Sequence, residues 1–184
     1  MAEAFSNKFV RAVGIVTTAT GGSIGVTTNK ITGISTAGIG VSDFVDNTNY
    51  LGGTIVESLG IGTVWVNRDS TNLGAATNQS LTFLGPTTAY TSTSGIKSIL
   101  IGGTFANNTD SEVQITVEVF DQSVGVTTTG GSVALASKIP VPNGSSFVIS
   151  DAGKTVIETS DEIRVYCNTN DALDVTLGIL KGVS

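Results

Sequence analysis

The chain has 184 residues, with fifteen Asp and Glu against nine Lys and Arg and no histidine, giving a formal charge of −6. Its basic residues are scattered singly, so there is no basic patch to displace counterions from nucleic-acid phosphate or to hold an anionic membrane surface. No apolar run approaches about 18 residues, Met1–Arg11 lacks an apolar signal core, and the lone Cys167 can form no internal disulfide. The expectation is a soluble protein made in a cytosol, with neither nucleic acid nor membrane as partner.

Threonine, valine and isoleucine dominate, with 23 glycines and only three prolines. Branched Cβ atoms favour pleated sheet, and no window keeps apolar residues at helical spacing over three turns, so the fold class is all-β. In the N-terminal segment Phe5 and Phe9 flank Lys8. This pattern suits an arm lying across a neighbouring subunit, or an edge strand with one inward Phe. From about Gly14 the text is repetitive, as in Gly14-Ile15-Val16-Thr17-Thr18 and Gly25-Val26-Thr27-Thr28, and no charge occurs between Ser70 and Ile96. Regular Ile and Val positions predict short strands near Ser23–Thr28, Lys30–Ile34, Asp43–Val45, Thr54–Leu59, Thr63–Asn67 and Ser80–Leu84. Gly60-Ile61-Gly62 reads as a tight turn. Trp65 points away from Val64 and Val66, and either fills a core or faces outward as a binding aromatic. Tyr50, beside Gly52-Gly53, and Tyr90, in an uncharged loop, are expected to be exposed.

The texture changes near residue 86, where strands become longer and turns more charged. Strands are predicted near Gly95–Thr104, Glu112–Asp121, Val133–Val141, Ser145–Ile149, Lys154–Glu158, Glu162–Asn168 and Leu173–Leu180. Val113, Ile115, Val117 and Val119 alternate with polar residues, as do Ile163, Val165 and Cys167, and Leu173, Val175, Leu177 and Ile179. Antiparallel strands with one apolar face must stack on another such face, which predicts a β-sandwich or jelly roll. Asp151-Ala152-Gly153-Lys154 and Val141-Pro142-Asn143-Gly144 read as connecting turns, and Pro140 and Pro142 mark an edge or a strand end. The domain expectation is a β-sandwich of residues 1–14 plus 86–184, carrying a smaller inserted Gly/Thr-rich β domain at 15–85.

Chemistry is sparse. The residue commonest in acid–base work at neutral pH is absent, no nucleophile-elbow text occurs, and most carboxylates sit in turns where they accept backbone N–H bonds. No catalytic, cofactor or metal residue is expected, and the chain is read as non-enzymatic. Asp69-Ser70-Thr71-Asn72 and the group Asp161, Glu162, Asp171 and Asp174 offer oxygens suited to Ca²⁺, without the spacing of an EF-hand. Cys167 alternates with inward Val165 and reads as a small core residue.

The text Asn7-Lys8-Phe9-Val10-Arg11-Ala12-Val13-Gly14, then Ile96 to Thr104 followed by Asn107-Asn108-Thr109, then Ile115-Thr116-Val117-Glu118-Val119, resembles a small β-sandwich module of tailed-bacteriophage virion proteins, cyanophages especially. Ile139-Pro140-Val141-Pro142-Asn143-Gly144, the run Gly153 to Val165, and Asp174-Val175-Thr176-Leu177 extend the resemblance. Ser160-Asp161 stands where that module has Gly-Asp. Residues Ile31 to Val45, Gly53 to Val56, Gly62 to Val66 and Ser80 to Phe83 resemble a second small β module of phage fibres and bacterial surface proteins. The resemblance implies a virion structural protein made in the host cytoplasm, foremost a capsid decoration or cement protein. It further implies a homo-oligomer, a trimer ahead of other states, in contact with virion proteins such as the major capsid protein. The alternative is a tail, neck or baseplate fibre component that binds host surface carbohydrate. The candidate interaction residues are Trp65, Tyr50, Tyr90, Phe5 and Phe9.

Overall fold

The computed structural model describes residues 3–124 and 131–183 and, at 151–154, the backbone alone. Among the described residues there is no helix. The strands are β1 (Ala4–Val13), β2 (Ile15–Ile24), β3 (Lys30–Thr32), β4 (Phe44–Asp46), β5 (Val56–Gly60), β6 (Thr63–Val66), β7 (Ala76–Gly85), β8 (Thr87–Thr91), β9 (Lys97–Asn107), β10 (Val113–Phe120), β11 (Ser132–Val141), β12 (Ser146–Ile157), β13 (Glu162–Cys167) and β14 (Leu173–Val183). They divide between two compact units: residues 3–15, 87–124 and 131–183 form one, and residues 16–86 the other.

The first unit is a sandwich of two four-stranded antiparallel sheets, ordered β1-β14-β9-β12 and β11-β10-β13-β8. Counted along this unit alone, the strands run first, eighth, third, sixth in one sheet and fifth, fourth, seventh, second in the other. That order is the double Greek key of a jelly roll. Period-2 alternation places Val113, Ile115 and Val117 of β10 and Ile163, Val165 and Cys167 of β13 on the inner face of the second sheet, all buried. Leu173, Val175, Leu177 and Ile179 of β14, with Leu100 and Phe105 of β9, face them from the first sheet and complete one core. Phe105 and Phe147 stack in it at a centroid distance of 6.1 Å. Burying such a side chain contributes about 1.5–3 kcal/mol, so alternation on the central strands decides the architecture.

Gly14 turns the chain out of β1. Its φ of +131° suits glycine, and a Cβ there would collide with the Thr169 carbonyl. The second unit then forms a six-stranded sheet, ordered β4-β7-β2-β3-β6-β5, over its own core of Ile24, Ile31, Val56, Val64, Leu81 and Phe83 among others. The hairpin β5–β6 closes through Ile61-Gly62, with Gly60 paired to Thr63 and Gly62 at φ +63°.

Three elements differ from the sequence expectation. β2 occupies Ile15–Ile24, ahead of the expected Ser23–Thr28, because its Thr- and Gly-rich text pairs through the backbone without an apolar alternation to announce it. β8, which holds Tyr90, is a strand and not a loop. The expected turn at Asp151–Lys154 lies inside a continuous β12. Ser150 pairs with Gly102 and Thr155 with Leu100, so an irregularity in the ladder absorbs the turn-like residues. Pro140 lies in β11, an edge strand, where its missing N–H is tolerated.

Candidate functional site

The outer face of the sheet β1-β14-β9-β12 is where apolar side chains gather in the open. Alternation sends Leu173, Val175, Leu177 and Ile179 inward, so Thr176, Gly178 and Leu180 face out. The register aligns three rows across the four strands. Phe9, Thr176, Thr104 and Val148 form the first, and Asn7, Gly178, Gly102 and Ser150 the second. Phe5, Leu180, Ile99 and Val156 form the third. Phe5 is 61% and Phe9 71% exposed, and Val148 and Val156 are also open to solvent. Ile101, outward by alternation after buried Leu100, joins them at a bulge where Gly178 pairs with Gly102 and Ile179 with Leu100.

The middle row has no side chains at Gly178 and Gly102, so a groove runs there, lined by Ile101, Thr104, Val148, Ser150 and Thr176. The Phe5 ring closes one end, since a Cβ on Gly178 would stand 3.5 Å from its Cζ. Gly102 is irreplaceable, because a Cβ would lie 2.8 Å from the Ile149 carbonyl oxygen. The described charged side chains of this face form two ion pairs, Arg11 with Asp174 at 3.8 Å and Lys97 with Glu158 at 3.1 Å. Exposed pairs of this kind contribute about 0–1 kcal/mol to stability, and each sets one charge against its opposite.

The outer side of the other sheet is polar. Glu118 and Tyr166 alternate with inward Val117, Val165 and Cys167, yet both are buried. The Tyr166 hydroxyl donates to Glu118 Oε1 at 2.7 Å, and Ser132 Oγ donates to the same oxygen at 3.0 Å. Burial raises the Glu118 carboxyl above the usual carboxylate range, against the opposing pull of these two hydrogen bonds and of the Arg164 charge. Burial, then the neighbouring Glu118 charge, raises the Tyr166 phenol. Arg164 stacks over the Phe120 ring at 3.5 Å and donates from Nε to Glu162 Oε2 at 2.7 Å.

The sequence candidates separate under this geometry. Phe5 and Phe9 lie on one open face. Trp65 faces away from buried Val64 and Val66, half-buried against Gly60 with the Lys30 Nζ 5.5 Å from its ring, so it does not fill the core. Tyr50 and Tyr90 are corrected: they are 6% and 4% exposed and belong to the two cores. The Tyr50 hydroxyl donates to the Thr28 carbonyl at 3.4 Å, and burial, with the Asp69 charge, pushes its phenol up to about 12. The hydroxyl of Tyr90, on β8, shares a 2.7 Å hydrogen bond with Ser98 of β9. Cys167 is buried, and burial raises its thiol. The carboxylate of Asp161 accepts from the backbone N–H groups of Gln122 and Glu158, an intramolecular turn. Among the described residues no group of three or more acidic, Cys or His side chains gathers as a metal site. Sequence reading missed Ile99, Ile101, Val148, Val156 and Leu180. Their signal was the doubly apolar text Ile99-Leu100-Ile101 and Ile179-Leu180, since a one-sided sheet should put polar residues outward.

These features define a jelly-roll β-sandwich with an apolar outer sheet face, carrying an inserted β unit. No family model matches the chain, and none of the curated proteins matches it. Two solved structures, those of the infectious bursal disease virus Gx and Gt strains, are similar at 12% and 14% identity, with TM-scores of 0.30 and 0.29. The alignments cover 96% and 95% of this chain, which spans 55% of each of those chains. A likeness at that level carries neither fold nor role across.

Proposed function

We propose that this chain is a non-enzymatic structural protein of a virion, acting as a capsid decoration protein through protein–protein contacts. One observation carries the reading: the open apolar face of β1-β14-β9-β12, in which Phe5, Phe9, Ile101, Val148 and Val156 lie together. Apolar patches of this kind mark interaction surfaces, whereas isolated exposed apolar residues do not. Jelly rolls recur in viral capsid, lectin and cupin proteins, an analogy of fold that agrees with the sequence resemblance to phage virion modules. The acidic, Gly- and Thr-rich remainder suits a hydrated outer surface.

The test is the position and copy number of the protein on purified particles, by immunogold labelling and quantitative mass spectrometry. Many copies over the head are expected. A handful at the tail or neck would overturn decoration and favour the second reading, a fibre component that binds host carbohydrate. That reading draws on outward Trp65 beside Lys30, and it requires glycan binding that Trp65→Ala abolishes.

A further inference from the structure

We infer that the outer face of β1-β14-β9-β12 binds the same face of a second copy of this chain, across a two-fold axis. The inference deepens the structural reading above and rests on it for biological meaning, but its physical basis lies in the face itself.

Knob and groove occur on one surface. Phe9 projects at 71% exposure, and one row away the backbone of Gly178 and Gly102 floors a groove walled by Ile101 and Val148. A two-fold contact is self-complementary, each residue meeting on the partner the residue that meets it in return, so projection and recess must share one patch. Phe9 of each copy enters the groove of the other.

Charge points to the same occupant. The chain carries −6, so most approaches between copies are repulsive. Here the described charges, Arg11 with Asp174 and Lys97 with Glu158, are neutralised within the chain. Paired charges at these described positions give a strongly charged partner little to hold and let one copy face another. Size is sufficient as well. With strands about 4.8 Å apart and a rise of about 3.3 Å per residue, four strands over the length of β14 present about 700 Å². Two such faces bury about 1,400 Å², within the range of specific interfaces.

Sedimentation and native mass spectrometry of the purified full chain test this. The expected mass at micromolar concentration is twice the 18.7 kDa of the chain. Phe9→Asp and, independently, Val148→Asp should each raise the dissociation constant at least about 30-fold, the loss of a central anchor. Val133→Asp, exposed on β11 of the other sheet, should leave it unchanged. Protection of Cys167 from thiol reagents shows that each variant is folded. A monomer, a trimer, or a dimer indifferent to both face substitutions overturns the inference. A monomer that still decorates particle heads overturns the self-association alone, whereas a face-dependent dimer absent from particles supports the contact and overturns the virion role.

Discussion

Glu118 makes the stability of the jelly-roll unit depend on pH with a sign that can be worked out. Its carboxyl is buried on β10 and raised above its ordinary value of 4.5, burial being the largest cause. The folded unit therefore holds a proton that the unfolded chain has already released. Where the native state binds more protons, stability falls as pH rises. The contribution is complete below the unfolded value and is lost as pH climbs through the raised folded one. The slope reaches at most about 1.4 kcal/mol per pH unit for one proton. Glu118→Gln removes it while keeping Oε1, the oxygen that accepts from both Tyr166 and Ser132. Two probes separate the units: Cys167 lies in the jelly-roll core, and Trp65, the single tryptophan, in the inserted unit. Urea unfolding followed by Cys167 protection, between about pH 4 and about pH 8, should show parent and variant converging at the acid end and the variant gaining as pH rises. The difference should be missing from Trp65 fluorescence. A parent and variant that run parallel across this range would refute the assignment of a buried, proton-holding Glu118.

Three further outcomes follow from the same core. Phe105→Ala should cost about 3–5 kcal/mol, read as a lower urea midpoint for Cys167 exposure, since a buried ring is replaced by a cavity beside Phe147; a loss below about 1 kcal/mol would place that ring outside the core. Val117→Asp or Val175→Asp puts an unpaired charge between the two sheets and should prevent folding, and soluble variants with normal Cys167 protection would contradict the alternation. Gly14→Ala forces a Cβ into the Thr169 carbonyl at a positive φ and should cost at least about 1–3 kcal/mol, with amide exchange rising first at Asp171 and Ala172, which donate to the Gly14 and Val13 carbonyls. Unchanged exchange there would show that this corner relaxes freely.

Much of the architecture was legible because burial on one face of a strand imposes a period of two. Val113 to Val119, Ile163 to Cys167 and Leu173 to Ile179 carry that period, and all three became central strands of the sandwich. β2 carries no such record. Thr17, Thr18, Thr20, Gly21 and Gly22 pair through main-chain groups, which the side chains do not encode. β12 shows the converse, because Asp-Ala-Gly-Lys has turn chemistry yet sits inside a strand whose pairing with β9 resumes beyond it. Local propensity yields when ladder bonds on both sides are worth more.

The open apolar face was only half legible, for a reason that lies in register. Phe5 and Phe9 could be singled out locally, two large apolar residues four positions apart with a lysine between them. Their neighbours come from strands about 90 to 175 positions further along the chain, brought beside them by cross-strand pairing. Neither Val148 nor Val156 is unusual within its own strand. Only the register that sets Phe5 level with Leu180, Ile99 and Val156, and Phe9 level with Val148, turns scattered residues into a surface. Gly178 and Gly102 matter for the same reason, because two glycines in adjacent strands make a groove only when they are paired. The doubly apolar runs Ile99-Leu100-Ile101 and Ile179-Leu180 carry the signal that this sheet places apolar side chains on its outer side as well, among polar ones. Apolar rows on both sides of one sheet favour a covering on each. The second sheet of the jelly roll covers one side, and the proposed self-association would cover the apolar rows of the other.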